Sequence, residues 1–191
     1  MANETNPLID FYLGQSPDRR GRTIRKIWAF KDDELEAVHD FIQWLFPLAE
    51  RSGFNPSAPV LDAETIQAFR ERPELRANLR VSLERMLRVY GFELIEGETL
   101  RVMPAPNFAE RADNWLSYSN HNHLRITRIL KSLCLLGLKE EAEALFRTLD
   151  GLYGTERQRT NPRISEKTYQ FWRAAAVAGE GLGPSRPRGT S

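Results

Sequence analysis

Three histidines and a stripe of arginines are the side chains in this sequence whose chemistry suits proton transfer or anion binding. His39 lies four residues after Leu35, at the edge of an apolar stripe with helical spacing, and Gln43 and Trp44 follow about one turn later. Its imidazole could bind a ligand or carry a proton. The simpler interpretation, which we favour, is a core histidine whose ring nitrogens are hydrogen-bonded within the protein.

The other two histidines are poorly oriented for a shared metal ion. His121 and His123 are two positions apart, so on a helix their side chains point about 200° from each other. We therefore expect no metal site here, and we expect His121 with Asn122 either to cap the helix that they begin or to hold the preceding loop. If His39 and His121 met in the tertiary structure, a metal, haem or acid–base role would gain support.

A row of cations follows on the same predicted helix. Arg125, Arg128 and Lys131 recur at three-residue spacing, along one side of a helix whose other faces are apolar. The functional interpretation is an anion or phosphate site, because guanidinium groups bind such anions in bidentate geometry. The structural interpretation, which we favour, is a solvated or internally paired stripe. Internal pairing would join these cations to acidic residues of the 32–46 segment, namely Glu34, Glu36 or Asp40.

Aromatic residues indicate a second type of candidate surface. Four tryptophans are spread along the chain, and core packing is expected to account for most of them: Trp28, Trp44, Trp115 and Trp172. Tyrosine and tryptophan also dominate recognition sites, because they combine a large apolar ring with a polar group. A groove lined by Trp44, Phe46 and Tyr118 would therefore suit a peptide ligand.

Helical periodicity dominates the chain and predicts an all-α fold. The longest apolar stripes lie in residues 32–46, 73–90 and 121–136, and each is predicted to be one continuous helix. Residues 92–103 alternate with period two around Gly97, which allows one short β-hairpin. We predict a single-domain bundle of about seven helices over residues 1–178, followed by a disordered tail over residues 179–191.

Charge, cysteine content and motifs narrow the function classes. Lys and Arg number 27 against 26 Asp and Glu, so the chain lacks the basic field that drives nucleic-acid binding, and a nucleic-acid partner is the least favoured of three candidate functions. The single cysteine, Cys134, indicates a reducing compartment, and no apolar run reaches the roughly 18 residues of a spanning helix. We expect a soluble, cytoplasmic protein. Common nucleotide-binding, zinc-protease and nucleophile-elbow motifs are missing, which makes an enzyme the less favoured class.

Three segments carry a family resemblance, and they read LEAVHDFIQWLFPL, FNPSAPVLDAETIQAF and HNHLRITRILKSL. In this order and spacing they resemble the conserved region of the opioid growth factor receptor family, from about Asp10 to Ala176. Phe41 stands where relatives often have tyrosine. The matching letters of the first segment include Leu35, Glu36, His39, Gln43, Trp44 and Pro47, and those of the last include His121, Asn122, Leu124, Arg125, Arg128 and Leu130.

The resemblance implies a helical domain in a family that is named for binding an enkephalin-type peptide. It also implies a nuclear or membrane-associated location in animals, and for this chain peripheral membrane association would follow by family analogy only. A shared fold does not by itself transfer receptor activity to a single domain.

Two hypotheses of different class follow. The first is a binding module for a peptide or protein, whose site lies beside the helices at residues 32–46 and 121–136. Its predicted ligand-binding residues are His39, Gln43, Trp44, His121, Asn122, Arg125 and Arg128. The alternative is a ligand- or cofactor-dependent enzyme that uses His39, His121 and the pair Arg125 and Arg128, although the sequence identifies no cofactor. Convergence of both histidines and an arginine in a pocket would favour the enzyme, and an open apolar groove would favour the binding module.

Overall fold

Helices and one small hairpin make up the described part of the chain, residues 6–178 of a computed structural model. The predicted all-α fold with one short hairpin is confirmed, and the predicted tail lies outside the described residues. Within residues 6–178 there are ten helices. The elements are α1 Pro7–Tyr12, α2 Ile24–Trp28, α3 Asp32–Ala37, α4 Ile42–Leu45, α5 Ala63–Glu71, α6 Pro73–Tyr90, β1 Phe92–Ile95, β2 Arg101–Pro104, α7 Phe108–Trp115, α8 His121–Leu135, α9 Lys139–Glu156 and α10 Glu166–Ala176.

The helix starts follow local capping chemistry. Asp62 accepts a hydrogen bond from Thr65 N at 2.7 Å at the start of α5, and Ser165 accepts one from Thr168 N at 3.1 Å at the start of α10. The predicted cap of α8 by His121 and Asn122 is wrong by one to two residues. Asn120, whose backbone is extended, accepts the hydrogen bond from Asn122 N at 2.9 Å.

The predicted continuous helix over residues 32–46 is interrupted, which is one reason why the structure has more than the expected seven helices. Val38 is extended, and the helix resumes only as the single turn α4. The reason is tertiary. The side chain of Arg125 donates to the carbonyls of Leu35 and Val38, both at 2.9 Å, and thus replaces backbone donors that a continuous helix would have supplied.

The core lies where α6 and α8 pass through the molecule. α8 packs against α9 and α10, while α6 contacts α1, α5, α7 and β1. Fully buried residues on the two central helices include Leu79, Leu83, Met86, Leu130 and Leu133. Among residues 6–178, no helix is both long and apolar enough to cross a membrane.

Gly91 joins α6 to the hairpin and sets the position of α7. Its φ of +78° lies in the left-handed region, and a Cβ there would come within 2.8 Å of the Phe108 Cα. Antiparallel pairing of β1 with β2 then runs from Phe92 opposite Pro104 to Ile95 opposite Arg101. The hairpin therefore returns the chain to α6, and α7 begins directly against the end of that helix.

Candidate functional site

The break after α3 brings the two predicted histidine positions together. His39 lies in the extended segment between α3 and α4, and His121 is the first residue of α8. Their ring centroids are 5.2 Å apart, with the ring planes at 76°. Both rings are exposed, so the expectation that His39 is a core histidine is wrong. The ring is exposed because the helix ends at Ala37 and the extended segment turns His39 outward.

Arg125 forms the base of this cluster. Its side chain is only 5% exposed, and it donates to the carbonyls of Leu35 and Val38. Its Nη2 also lies 2.8 Å from His39 Nδ1. An arginine can only donate hydrogen bonds. His39 Nδ1 is therefore the accepting nitrogen, and the proton of the neutral ring lies on Nε2.

Glu36 connects the cluster to the first turn of α8. Its carboxylate accepts from Asn122 Nδ2 at 3.0 and 3.1 Å, and it lies 3.2 Å from His121 Nε2 and 3.7 Å from Arg125 Nη1. Burial lowers the pKa of His121. The negative charge of Glu36 raises this pKa, the positive charge of Arg125 lowers it, and the net change is a lowering. The nearby Glu36 carboxylate favours the neutral tautomer of His121 that carries its proton on Nε2, and this tautomer leaves Nδ1 as an acceptor.

The two rings consequently present complementary atoms to solvent. His39 offers an Nε2–H donor, and His121 offers an Nδ1 acceptor, and neither atom has another partner among the described residues. A donor beside an acceptor matches the carbonyl and N–H of a peptide group. Two neutral imidazoles in this position could also exchange a proton with a substrate.

The cationic stripe of α8 has structural partners along its whole length. Arg128 donates to the Phe46 carbonyl at 3.1 Å, and Lys131 forms an ion pair with Glu50. Burial lowers the pKa of Arg128. Together with Arg125, these side chains fasten the irregular segment after α3 to α8.

The remaining predicted site residues lie below the surface. Gln43 and Trp44 are 4% and 5% exposed, and Asn122 is fully buried beneath His121. The predicted aromatic groove is wrong, because Trp44 and Phe46 point into the core whereas Tyr118 is 72% exposed. The break at Val38 changes which side of the following turn faces the core.

Two exposed apolar residues lie three positions before and three positions after His121. Tyr118 was predicted as part of an aromatic groove, whereas Leu124 was not predicted as a ligand contact. Leu124 is 56% exposed and lies one turn after His121 on α8, and Tyr118 lies in the turn that precedes the helix. Ser119 in that turn has a φ of +58°, the one positive φ among described residues other than glycine. Asn120 Nδ2 donates to the Asn114 carbonyl and lies near Ser117 Oγ, both at 3.0 Å, which fixes the turn. The turn-like letters SYSN were the available signal.

A sequence model of the opioid growth factor receptor conserved region matches residues 4–177 of this chain. The chain belongs to the opioid growth factor receptor family. The opioid growth factor receptor of Rattus norvegicus is 46% identical over 120 residues, which are 63% of this chain and 20% of that protein. The human opioid growth factor receptor is 42% identical over 120 residues, which are 63% of this chain and 17% of the human protein. Opioid growth factor receptor-like protein 1 of Mus musculus is 35% identical over 145 residues, which are 76% of this chain and 30% of the mouse protein.

The chain thus spans between 17% and 30% of the length of these relatives. No solved structure shows a significant match. In this chain, the first and last segments that carry the family resemblance meet in the histidine cluster. Across residues 6–178, the structure holds no group of three or more His, Cys, Asp or Glu side chains placed to bind a metal ion.

His123 is buried on α8 beside two tryptophans, and we expect its burial to make the stability of the domain depend on pH. Its ring is edge-on to Trp115 and Trp172, with centroids 6.4 and 5.5 Å away, and burial lowers its pKa to about 4. As the pH is lowered, His123 in the unfolded chain takes up a proton near pH 6.5, whereas His123 in the folded protein does so only near pH 4. We expect the stabilisation from neutral His123 to be complete above pH 6.5 and to be lost as the pH falls to about 4, by up to about 3 kcal/mol.

Urea unfolding of the wild type and His123→Phe between pH 7.5 and 4 measures this effect. The phenylalanine variant keeps a ring at the site but does not titrate, so its free energy of unfolding should fall less with acid. His39→Ala, which removes an exposed histidine, is the matched control and should keep the wild-type slope. Parallel curves for the wild type and His123→Phe would rule out His123 as the titrating group.

Proposed function

We propose that this domain binds a peptide or a peptide segment of a protein at a surface formed by His39, Tyr118, His121 and Leu124, here called the histidine surface. The observation that carries the proposal is the exposed pair of imidazoles, which presents one donor and one acceptor 5.2 Å apart between ring centroids. A peptide group needs this combination, and it is available without moving any residue.

The neighbouring side chains support the same ligand class. Tyr118 lies three residues before His121 and Leu124 three residues after it, and both expose apolar area of the kind that binding hot spots commonly use. The relatives are named receptors for an opioid growth factor. An enkephalin-type peptide is accordingly the first ligand to test.

The remaining predicted site residues act through the histidines in this proposal. Arg125 and Asn122 fix the ring orientations by way of His39 and Glu36. Arg128, Gln43 and Trp44 hold the segment that carries His39. Only His39 and His121 among the predicted residues would touch the peptide.

Isothermal titration with an enkephalin-type peptide tests the proposal, with a scrambled peptide of equal composition as the ligand control. We expect Tyr118→Ala and His121→Ala each to weaken binding about tenfold or more, since truncation of a central aromatic or polar contact typically costs more than 1 kcal/mol. Val177→Ala removes an exposed apolar side chain near the far end of α8 and should bind normally. Equal binding of the two peptides, or no effect of either variant, would contradict this site.

A second candidate function is acid–base catalysis by His39 and His121, with Arg125 holding His39. Its supporting observation is that both neutral rings present a free nitrogen to solvent within one cluster. Native mass spectrometry and an absorption spectrum of freshly purified protein address it directly. A retained cofactor or small molecule that His39→Ala and His121→Ala both release would favour the enzyme.

A further inference from the structure

A cavity of about 600 Å³ lies beside the first turn of α3. Its walls come from the second half of α6, from β1, from the segment after β2, from the start of α7 and from the first turn of α3. The volume falls within the range of known small-ligand pockets. The histidine surface does not include any of its lining residues.

Two arginines and one aspartate form the floor of this cavity. The Arg85 side chain is 8% exposed, and its Nη2 lies 2.7 Å from Asp32 Oδ1. The Arg111 Nη2 lies 2.7 Å from the other carboxylate oxygen, Oδ2. Both oxygens of Asp32 therefore have a guanidinium partner, and the group of three carries a net positive charge. Carbonyls of the segment before α3 also accept from Arg85, which fixes its position.

Several donors at this floor have no partner. The exposed Arg88 guanidinium makes no hydrogen bond or ion pair with a described residue. Arg111 Nε is buried and likewise unpartnered within the described part of the chain. Asn107 also lines the cavity, and its side chain makes no hydrogen bond with a described residue. A buried donor without a partner costs free energy, and an anion in the cavity would remove that cost.

The acidic residues of the cavity limit the charge of the ligand. Glu84 lines the cavity, and its Oε1 lies 3.5 Å from Nε of Arg80, a residue that does not line the cavity. Glu93 also lines the cavity; it is exposed and has no ion-pair partner among the described residues. A dianion such as phosphate would be repelled by these carboxylates and by Asp32. A carboxylate carries a single charge and matches the planar guanidinium group. Phe92, Leu94 and Ala105 line the cavity beside the arginines and suit an apolar group next to the carboxylate.

Two helices connect the cavity with the histidine surface. α3 begins at Asp32 in the cavity and reaches Glu36, which binds His121, one turn later. α7 begins beside the cavity and ends three residues before Tyr118. One helical turn advances about 5.4 Å, and an extended peptide covers about 3.3 Å per residue. A peptide of a few residues can therefore span both places.

We infer that the cavity binds the C-terminal carboxylate of the peptide that occupies the histidine surface, with Arg88 and Arg111 as its donors. This inference rests on the proposed function. The last side chain of the peptide lies against Phe92 and Leu94, and the preceding peptide groups follow α3 toward His39 and His121.

Titrations with an enkephalin-type peptide as the free acid and as the C-terminal amide test this inference. The wild type should bind the acid at least tenfold more tightly than the amide, because the amide has no negative charge. Arg88→Ala should remove that difference, and it should fold normally because the side chain is exposed. Arg173→Ala, which removes an exposed arginine on α10, should preserve the difference. Equal affinities of acid and amide for the wild type, or a preference that survives in Arg88→Ala, would overturn the inference.

A second titration separates this inference from the proposed function. N-acetylleucine and its amide are small enough to enter the cavity alone, and amide signals of Asn107 and Arg111 in NMR spectra report on binding there. If neither peptide binds the wild type, the proposed function and the peptide part of the inference both fail. Shifts caused by the acid and lost in Arg88→Ala would then still establish the carboxylate site, and an absence of shifts would exclude it.

Discussion

Arg125→Ala is expected to lower the free energy of unfolding by about 3–5 kcal/mol, the usual cost of removing one partner of a buried ionic group. The guanidinium group has three well-aligned hydrogen bonds at 2.8 to 2.9 Å, to the carbonyls of Leu35 and Val38 and to His39 Nδ1. Alanine would leave the carbonyls unpaired where the helix has already ended, and Glu36 would lose its closest buried cation. Thermal and urea unfolding measure the loss.

Phosphate provides the second part of this test. Both Nη1 and Nη2 of Arg125 already donate to groups of the protein. Phosphate is therefore not expected to bind Arg125 and raise the melting temperature of the wild type. Lys131→Ala is the matched control, because it removes a more exposed cation of the same stripe and should cost under about 1 kcal/mol. A stable Arg125→Ala variant, together with a wild type that phosphate protects, would show that the arginine serves as an anion site.

Trp44→Ala is expected to destabilise the domain by about 3–5 kcal/mol, as truncation of a buried aromatic side chain usually does. Trp44 is 5% exposed, and its ring centroid lies 5.1 Å from that of Phe11 on α1. Its loss would open a cavity between α1 and the single turn α4. Since α4 is too short to be stable alone, the segment that carries His39 should loosen as well.

Phe54→Ala is the control for this prediction. Phe54 is 88% exposed in the loop between α4 and α5, so its removal should change the free energy of unfolding by less than about 0.5 kcal/mol. Urea unfolding of both variants gives the comparison. A Trp44→Ala protein with wild-type stability that no longer bound the peptide would instead identify Trp44 as a surface contact.

The chemistry of the individual residues was predictable, but the role of several depended on long-range contacts. Arg125 and Arg128 were recognised as a cationic stripe, and the structure uses them mainly to bind backbone carbonyls at Leu35, Val38 and Phe46. Backbone carbonyls carry no signature in the sequence. For that reason, composition and spacing favoured a solvated or internally paired stripe over an anion site, but they could not identify carbonyls as the partners.

The sequence by itself determined the helical class, the helices that begin at Pro73 and His121, and the hairpin after Gly91, because these depend on periodicity and on local capping. It also determined the family, through segments whose letters lie close together in the chain. The break at Val38, the exposure of His39 and its meeting with His121 were decided only by the tertiary structure. A side chain 87 residues away from Val38 supplies the donor that ends the helix there. Local propensity cannot register a hydrogen bond between positions so far apart, and the outward orientation of His39 follows from that contact.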